Sequence, residues 1–398
     1  MPTKNIITSD IILNESLRIL HERLQFLALC NKEYNPKFAN RGHQIGQTVD
    51  IRKPAQLSTR KGMTYEDQDF IQESFPLTVD SVIGIDMTFD DVDLTMNLND
   101  FSKDFIEPAV NQLATSLEAE INPVALRALN SVYNASGIGY RELLTIDQRL
   151  AESLAPLGSR CPFIVNPASQ VEIIMELKGL FNPASELGNQ FKTAKIGSMA
   201  NLDFYRSNIL PTVQLPADIM GTVAFAEGTD SATITGFTDG QIIPDGMRFT
   251  VAGCYNVHPE TKKAYATLKE FVVKGDALVA GATTVKLVGK NYSDASGARQ
   301  NISALPAGGS AVSVIGDAGV RLRNNIAMDK KAFTFVTVDL LTPKGTDMAG
   351  TKNLDGISMS FVRDFDIDGR TLKSRLDIRY GFVEVRPEWA CLAIEPDV

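Results

Sequence analysis

The stretch IRKPAQLSTRKGMTYEDQDFIQESFPLTV, Ile51–Val79, sets the tightest limit on what this chain can fold into. Alternating apolar and polar residues flank it, Thr48–Ile51 on one side and Phe75–Val79 on the other, which reads as two strand segments. Between them lie more than twenty mostly polar residues with few apolar anchors. A compact domain rarely keeps a connection of that length unless something else holds it. Its charges are segregated: Arg52, Lys53, Arg60 and Lys61 precede Glu66, Asp67, Asp69 and Glu73.

The remainder of the chain has ample means to build a core. Of 398 residues, 44% are hydrophobic and 22% charged, enough for two or three domains or for one large core with an insertion. The net charge of −9 disfavours tight, non-specific nucleic-acid binding, which needs clustered Lys and Arg. Cys30, Cys161, Cys254 and Cys391 are far apart and form no CxxC, a pattern that suggests reduced thiols rather than a disulfide framework. The N-terminus MPTKNIITSD lacks the apolar run of a signal peptide, and no stretch has the ~18 apolar residues of a membrane span. Folding in a cytoplasm is the expectation.

Residues Asp10–Asn31 read as a helix, with Leu13, Leu17, Leu20, Leu24 and Leu27 on one stripe. That stripe fits packing on the chain's own core, and it also fits an arm lying on a neighbouring subunit. VIGIDMTFDDVDLTM reads as strand. From Asn99 to about Asn134 an apolar recurrence at Ile106, Val110, Leu113, Leu117, Ile121 and Val124 predicts a rod of roughly 50 Å, kinked or jointed at Pro108 and Pro123. Tyr140–Pro216 alternates helix and strand. Thr145 and Gln148 form a capping-box pattern, Cys161–Val165 and Leu202–Ser207 read as strands, and Asn166-Pro167 opens a helix. Between Gly221 and Gly316 lie 13 of the 29 glycines, separating short β-patterned runs; this predicts an inserted barrel or sandwich of about a hundred residues. Beyond it, Phe333–Leu341, Ile357–Arg363 and Leu376–Val385 read as strands of a resumed mixed body.

Chemical motifs are sparse. His21-Glu22 begins an HExxH pattern, but Gln25 stands where the second metal ligand belongs. Ser58 and Lys61 form SxxK in the long polar stretch, where nothing preorganises a nucleophile, and neither SDN nor KTG follows. Asp364-Phe-Asp366-Ile-Asp368-Gly369 matches the first half of a calcium loop, but Arg375 occupies the position that needs a bidentate acid; a turn between two strands explains it better. No cofactor or metal is expected. A hydrolase-like enzyme with a β accessory domain is one reading of such a chain.

Three segments together, FIEPAVNQLATSLEAEI, KIGSMANLDFYRSNILP and RLDIRYGFVEVRPEWACLAIEPD, with NIAMDKKAFTFVTVDLLTP as a weaker fourth, resemble major capsid (coat) proteins of tailed double-stranded-DNA bacteriophages. The resemblance is to the podovirus branch of the Hong Kong 97-type fold and implies an α+β chain carrying an inserted all-β, barrel-like domain. It implies an N-terminal arm over 1–45, an extended β-hairpin loop over 46–90, and a peripheral domain with a spine helix over 91–139. An axial domain over 140–220, the inserted domain over 221–316, and the remaining axial and peripheral residues over 317–398 follow. It also implies that the long polar stretch lies across an adjacent subunit. Leu13, Leu17, Leu20, Leu24, Arg52, Lys53, Arg60, Lys61, Glu66, Asp67, Asp69 and Glu73 are then candidates for contacts between copies. Asp10 and Glu15 are candidates for a basic scaffold segment. The implied partners are the chain itself in hexamers and pentamers, a scaffolding protein and a portal, with DNA enclosed but not specifically bound. No membrane is involved. The implied location is the virion capsid, assembled in the host cytoplasm; the alternatives are the hydrolase-like enzyme or another virion structural protein.

Overall fold

A computed structural model describes residues 9–32, 48–53, 57, 62–63, 65, 72–89, 105–156, 160–177, 197–306, 308–340, 345–366 and 371–397. These fall into two compact units. One comprises Met1–Ile51, Ser74–Ile121 and Phe333–Val385; the other comprises Arg52–Glu73, Asn122–Ala332 and Arg386–Val398.

In the first unit, helix α1 (Ser9–Arg23) packs on a later helix and on strands Met348–Leu354 and Ile357–Asp366. Leu13, Leu17 and Leu20 are fully buried and Leu24 nearly so. These four leucines, offered as contacts between copies, are buried within their own unit. Their stripe finds its apolar partner within its own unit. A short helix, α2 (Phe26–Leu29), follows, and its Phe26 ring meets Phe333 and Phe382 at 5.9 and 6.2 Å. Asn31 then hydrogen-bonds in both directions with strand Phe333–Thr337.

Helix α3 (Glu107–Ile121) buries Val110, Leu113, Ala114, Leu117 and Ile121. The predicted rod to Asn134 is shorter than expected. The α-helix stops at Ile121, and a 3₁₀ segment (Asn122–Arg127) containing Pro123 leads to a strand at Asn130–Tyr133. Proline removes a donor and clashes with the preceding turn, so it ends this helix rather than kinking it. Pro108 falls in the first turn, where its missing donor is harmless. The start of the expected rod, 99–104, lies outside the described residues.

The unit's sheet is built around the long strand Thr371–Glu384. It pairs antiparallel with Ile357–Asp366, Ser81–Phe89 and Phe333–Thr337. Ile357–Asp366 also pairs with Met348–Leu354 through a tight turn at Asp355-Gly356, both residues at positive φ. Strand Ser81–Phe89, placed by the sequence in the extended loop, thus belongs to this sheet. Asp364 and Asp366 lie on a strand opposite Lys373 and Thr371, as expected of a strand pair and not of a calcium loop.

The second unit holds a sheet in the order Asn130–Tyr133, Ala390–Pro396, Arg321–Met328, Cys161–Val165, Leu202–Arg206 and Ser198–Met199. Helix α4 (Tyr140–Glu152) buries Leu143, Ile146 and Leu150 in a core with Phe163, Val165, Leu202 and Ala393. It begins at Tyr140, so the Thr145/Gln148 capping box is corrected. The Glu142 carboxylate accepts the Gly139 N–H at 3.0 Å, and Thr145 bonds back to the Arg141 carbonyl. Helix α5 (Pro167–Leu177) starts as the sequence indicates, with Asn166 accepting the Ala168 N–H at 3.0 Å.

The insertion is a six-stranded sheet in the order Ala264–Val272, Arg248–Val257, Ser310–Val314, Thr222–Ala224, Ser231–Thr235, Thr283–Lys286. Its two edge strands meet through a bridge between Val273 and Leu287, flanked by Lys274 N–H to Lys286 O (2.8 Å) and Val288 N–H to Val272 O (2.9 Å). Those bonds close the sheet into a small barrel, filled by Phe249, Val251, Phe271, Ile234 and Val285. Arg248, 2% exposed, ties the barrel to the rest of its unit. It donates to the Leu126 and Ala128 carbonyls at 2.9 and 2.5 Å, while Glu270 accepts from Ser131 at 2.6 Å.

Candidate assembly surface

The polar stretch that opens this account leaves the first unit from a two-stranded hairpin base. Thr48–Arg52 pairs with Ser74–Thr78, and Thr48 and Thr78 share a hydroxyl contact at 3.2 Å. The base is anchored by Ile51, Leu77 and Val79, which are buried against Val336 and Val385. Gly381 allows the approach: a Cβ there would sit 2.4 Å from the Thr78 carbonyl oxygen. Arg379 donates to the Val79 carbonyl at 3.1 Å, so the base's exposed backbone is satisfied from inside the unit.

Among the described residues beyond the base, the large side chains are exposed. Leu57 is 55%, Tyr65 79% and Met63 102% exposed. Three large side chains with apolar bodies left exposed in one polar stretch are candidates for burial against another molecule. In the same stretch Arg52 is exposed and Glu73 half-buried. Lys53 Nζ lies 3.4 Å from Glu388, so this predicted intersubunit cation has a partner within its own unit. Arg60, Lys61, Glu66, Asp67 and Asp69 lie outside the described residues, as does Ser58 of the SxxK pattern. Asp10 is exposed at the start of α1, and Glu15 pairs with Arg18 at 2.7 Å one turn away.

The remaining chemical patterns resolve into structure. His21 hydrogen-bonds to the Leu354 carbonyl at 3.0 Å. All four cysteines are buried and unpaired as disulfides; burial raises each thiol's pKa, which makes them unreactive packing residues. Among the described residues no three His, Cys, Asp or Glu are grouped to hold a metal ion, and no helix is long and apolar enough to cross a membrane.

Sequence reasoning missed other exposed apolar residues. Val171 and Met175 lie one turn apart on α5, and Ile242 faces Leu278 across a two-stranded ribbon of the insertion. Periodicity marks such residues as core and carries no sign that they face outward.

Residues 222–394 match the family model described as P22 coat protein, gene protein 5. No curated protein matches the chain. Similar solved structures include one of Mycobacterium phage Che8, with 12% identity over 93% of this chain and 90% of that one and a TM-score of 0.47. The capsid structure of Cyanophage P-SCSP1u shows 10% identity over 89% and 85%, with a TM-score of 0.45. The asymmetric unit of the bacteriophage PhiM1 mature capsid shows 10% identity over 91% and 84%, with a TM-score of 0.43. At these TM-scores the likeness adds no weight of its own. The part of the chain that holds the inserted barrel and most of the final strands, residues 222–394, is thus similar to P22 coat protein, a structural capsid protein.

Proposed function

We propose that copies of this chain form hexamers and pentamers of a closed icosahedral shell, and that the hairpin end lies across an adjacent copy. The observation that carries this reading is the contrast along one hairpin: Ile51, Leu77 and Val79 buried at its base, Leu57, Met63 and Tyr65 exposed beyond it. Each contact is modest, but a shell repeats it at every subunit, so multivalency supplies the strength. The segregated charges, Arg52, Arg60 and Lys61 against Glu66, Asp67, Asp69 and Glu73, set register more than affinity.

The subunit's work is mechanical and not catalytic. A scaffolding protein directs closure, with Asp10 and Glu15 as its acidic contacts, and a portal occupies one vertex. Double-stranded DNA is enclosed without specific binding, since the net charge of −9 favours an inner wall that does not trap it. Assembly takes place in the host cytoplasm and the product is the virion capsid. The first compact unit, with α3 and the long-stranded sheet, corresponds to the peripheral domain; the sheet that includes Ala390–Pro396 corresponds to the axial domain.

Electron microscopy of the purified chain, co-expressed with its scaffold, tests the reading. Closed shells are expected. The double reversal Arg60→Glu, Lys61→Glu should reduce shell yield while the subunit stays folded by circular dichroism. A chain that forms no shells, or a reversal that leaves the yield unchanged, contradicts the reading at the level of the shell or of the hairpin respectively.

A further inference from the structure

Helix α5 is fastened to the C-terminal strand by a buried acid whose proton can be located by following the hydrogen bonds. Asn166 donates its backbone N–H to Asn325 at 2.7 Å, which identifies the accepting atom as the Asn325 amide oxygen. The Asn325 NH₂ group therefore donates, to the Ser169 hydroxyl at 3.0 Å. With its lone pair engaged, Ser169 directs its own hydrogen to Glu395 Oε1. Oε1 is thus an acceptor. The second oxygen, Oε2, is buried and meets no hydrogen-bond donor among the described residues.

A carboxylate oxygen left in that position is costly to bury, and Glu172 on α5 brings a second carboxylate to the same Arg323 guanidinium, 3.5 Å from Glu172 and 3.7 Å from Glu395. The local charge count points the same way. Arg323 Nε lies 3.2 Å from Asp397 and 3.7 Å from Glu395, and its Nη2 lies 3.5 Å from Glu172. Arg321 shares Asp397 at 3.4 Å. Two guanidinium groups thus face three carboxylates, and the surplus negative charge falls on the Glu172–Glu395 pair.

We propose that Glu395 keeps a proton beside Glu172, and that this proton latches α5 to the C-terminal strand, so that the seam loosens as the solution becomes alkaline. Burial, reinforced by the Glu172 carboxylate, pushes the Glu395 carboxyl from its ordinary value of 4.5 up to about 7. The folded chain holds this proton more tightly than the unfolded chain. The stabilisation is therefore complete below about pH 4.5 and is lost as pH rises to about 7. A buried Glu395 carboxylate then stands beside the partly exposed Glu172 carboxylate.

Urea unfolding of the full chain and of Glu395→Gln at pH 5 and pH 8 tests the latch, because the amide mimics the neutral acid. Relative to Glu395→Gln, the wild-type folding equilibrium should fall on the order of a hundred-fold between the two pH values. Infrared spectroscopy at pH 6 should show a protonated-carboxyl carbonyl band that the variant lacks. A wild-type-to-variant ratio that does not change with pH, or absence of that band from the wild type, overturns the proposal. If Glu395→Gln does not fold, Glu172→Gln supplies the test. Removing the facing charge should move the wild-type step to lower pH, and an unmoved step overturns the proposal.

Discussion

Helix α1 and the hairpin that follows it are the two regions the sequence presents as projections, and the structure treats them in opposite ways. The leucine stripe of α1 is buried against α3 and two strands more than three hundred residues later in the chain. Of the described hairpin residues, Ile51, Leu77 and Val79 at the root are buried, while Leu57, Met63 and Tyr65 are exposed. The difference lies in the density of apolar residues. Four leucines in a dozen residues can displace enough water to fix a helix on its own unit, while Leu57, Met63 and Tyr65, spread through a polar run, offer far less apolar area per residue. What a chain leaves unburied in this way is what a second copy can bury.

Three substitutions sharpen the contrast. Leu17→Ala should have the largest effect on the subunit, losing about 2–5 kcal/mol of unfolding free energy in urea, because it opens a cavity in a fully buried stripe. If that loss is absent and shell formation fails instead, α1 is an intersubunit arm after all. Glu118→Ala comes next. The Glu118 carboxylate, on α3, accepts the N–H groups of Gln25 and Phe26 at 2.5 and 2.9 Å, and so fixes the bend between α1 and α2. Leaving those donors buried and unbonded should cost about 1–3 kcal/mol, with faster amide exchange confined to residues 25–27. Lys53→Ala should have the smallest effect. Its ion pair with Glu388 is partly exposed, so the loss should be about 0–1 kcal/mol by the same urea measurement. A larger loss would show that Lys53 helps hold the hairpin in place.

Local chemistry was legible in the sequence where the deciding partner is local. The leucine stripe, the Asn166-Pro167 helix start and the short strands of the insertion all follow from spacing and turn residues a few positions apart. Long-range pairings were not. Nothing near Val273 signals that its backbone meets Leu287 and closes a barrel, because a backbone hydrogen bond leaves no side-chain trace. The helix end at Ile121 was misread for another reason: apolar residues continue to recur at Val124, but Pro123 decides the geometry. At the assembly surface, the length and polarity of the stretch from Ile51 to Val79 disclosed that something unusual is there. They did not disclose that Lys53 turns inward to Glu388.

The account turns on whether a second copy covers the hairpin end, and hydroxyl-radical footprinting of Met63 and Tyr65 reads this directly. Both side chains should label heavily in the free subunit, as their exposure of 102% and 79% requires, and should become protected when shells form. Equal labelling of the two residues before and after assembly would contradict it.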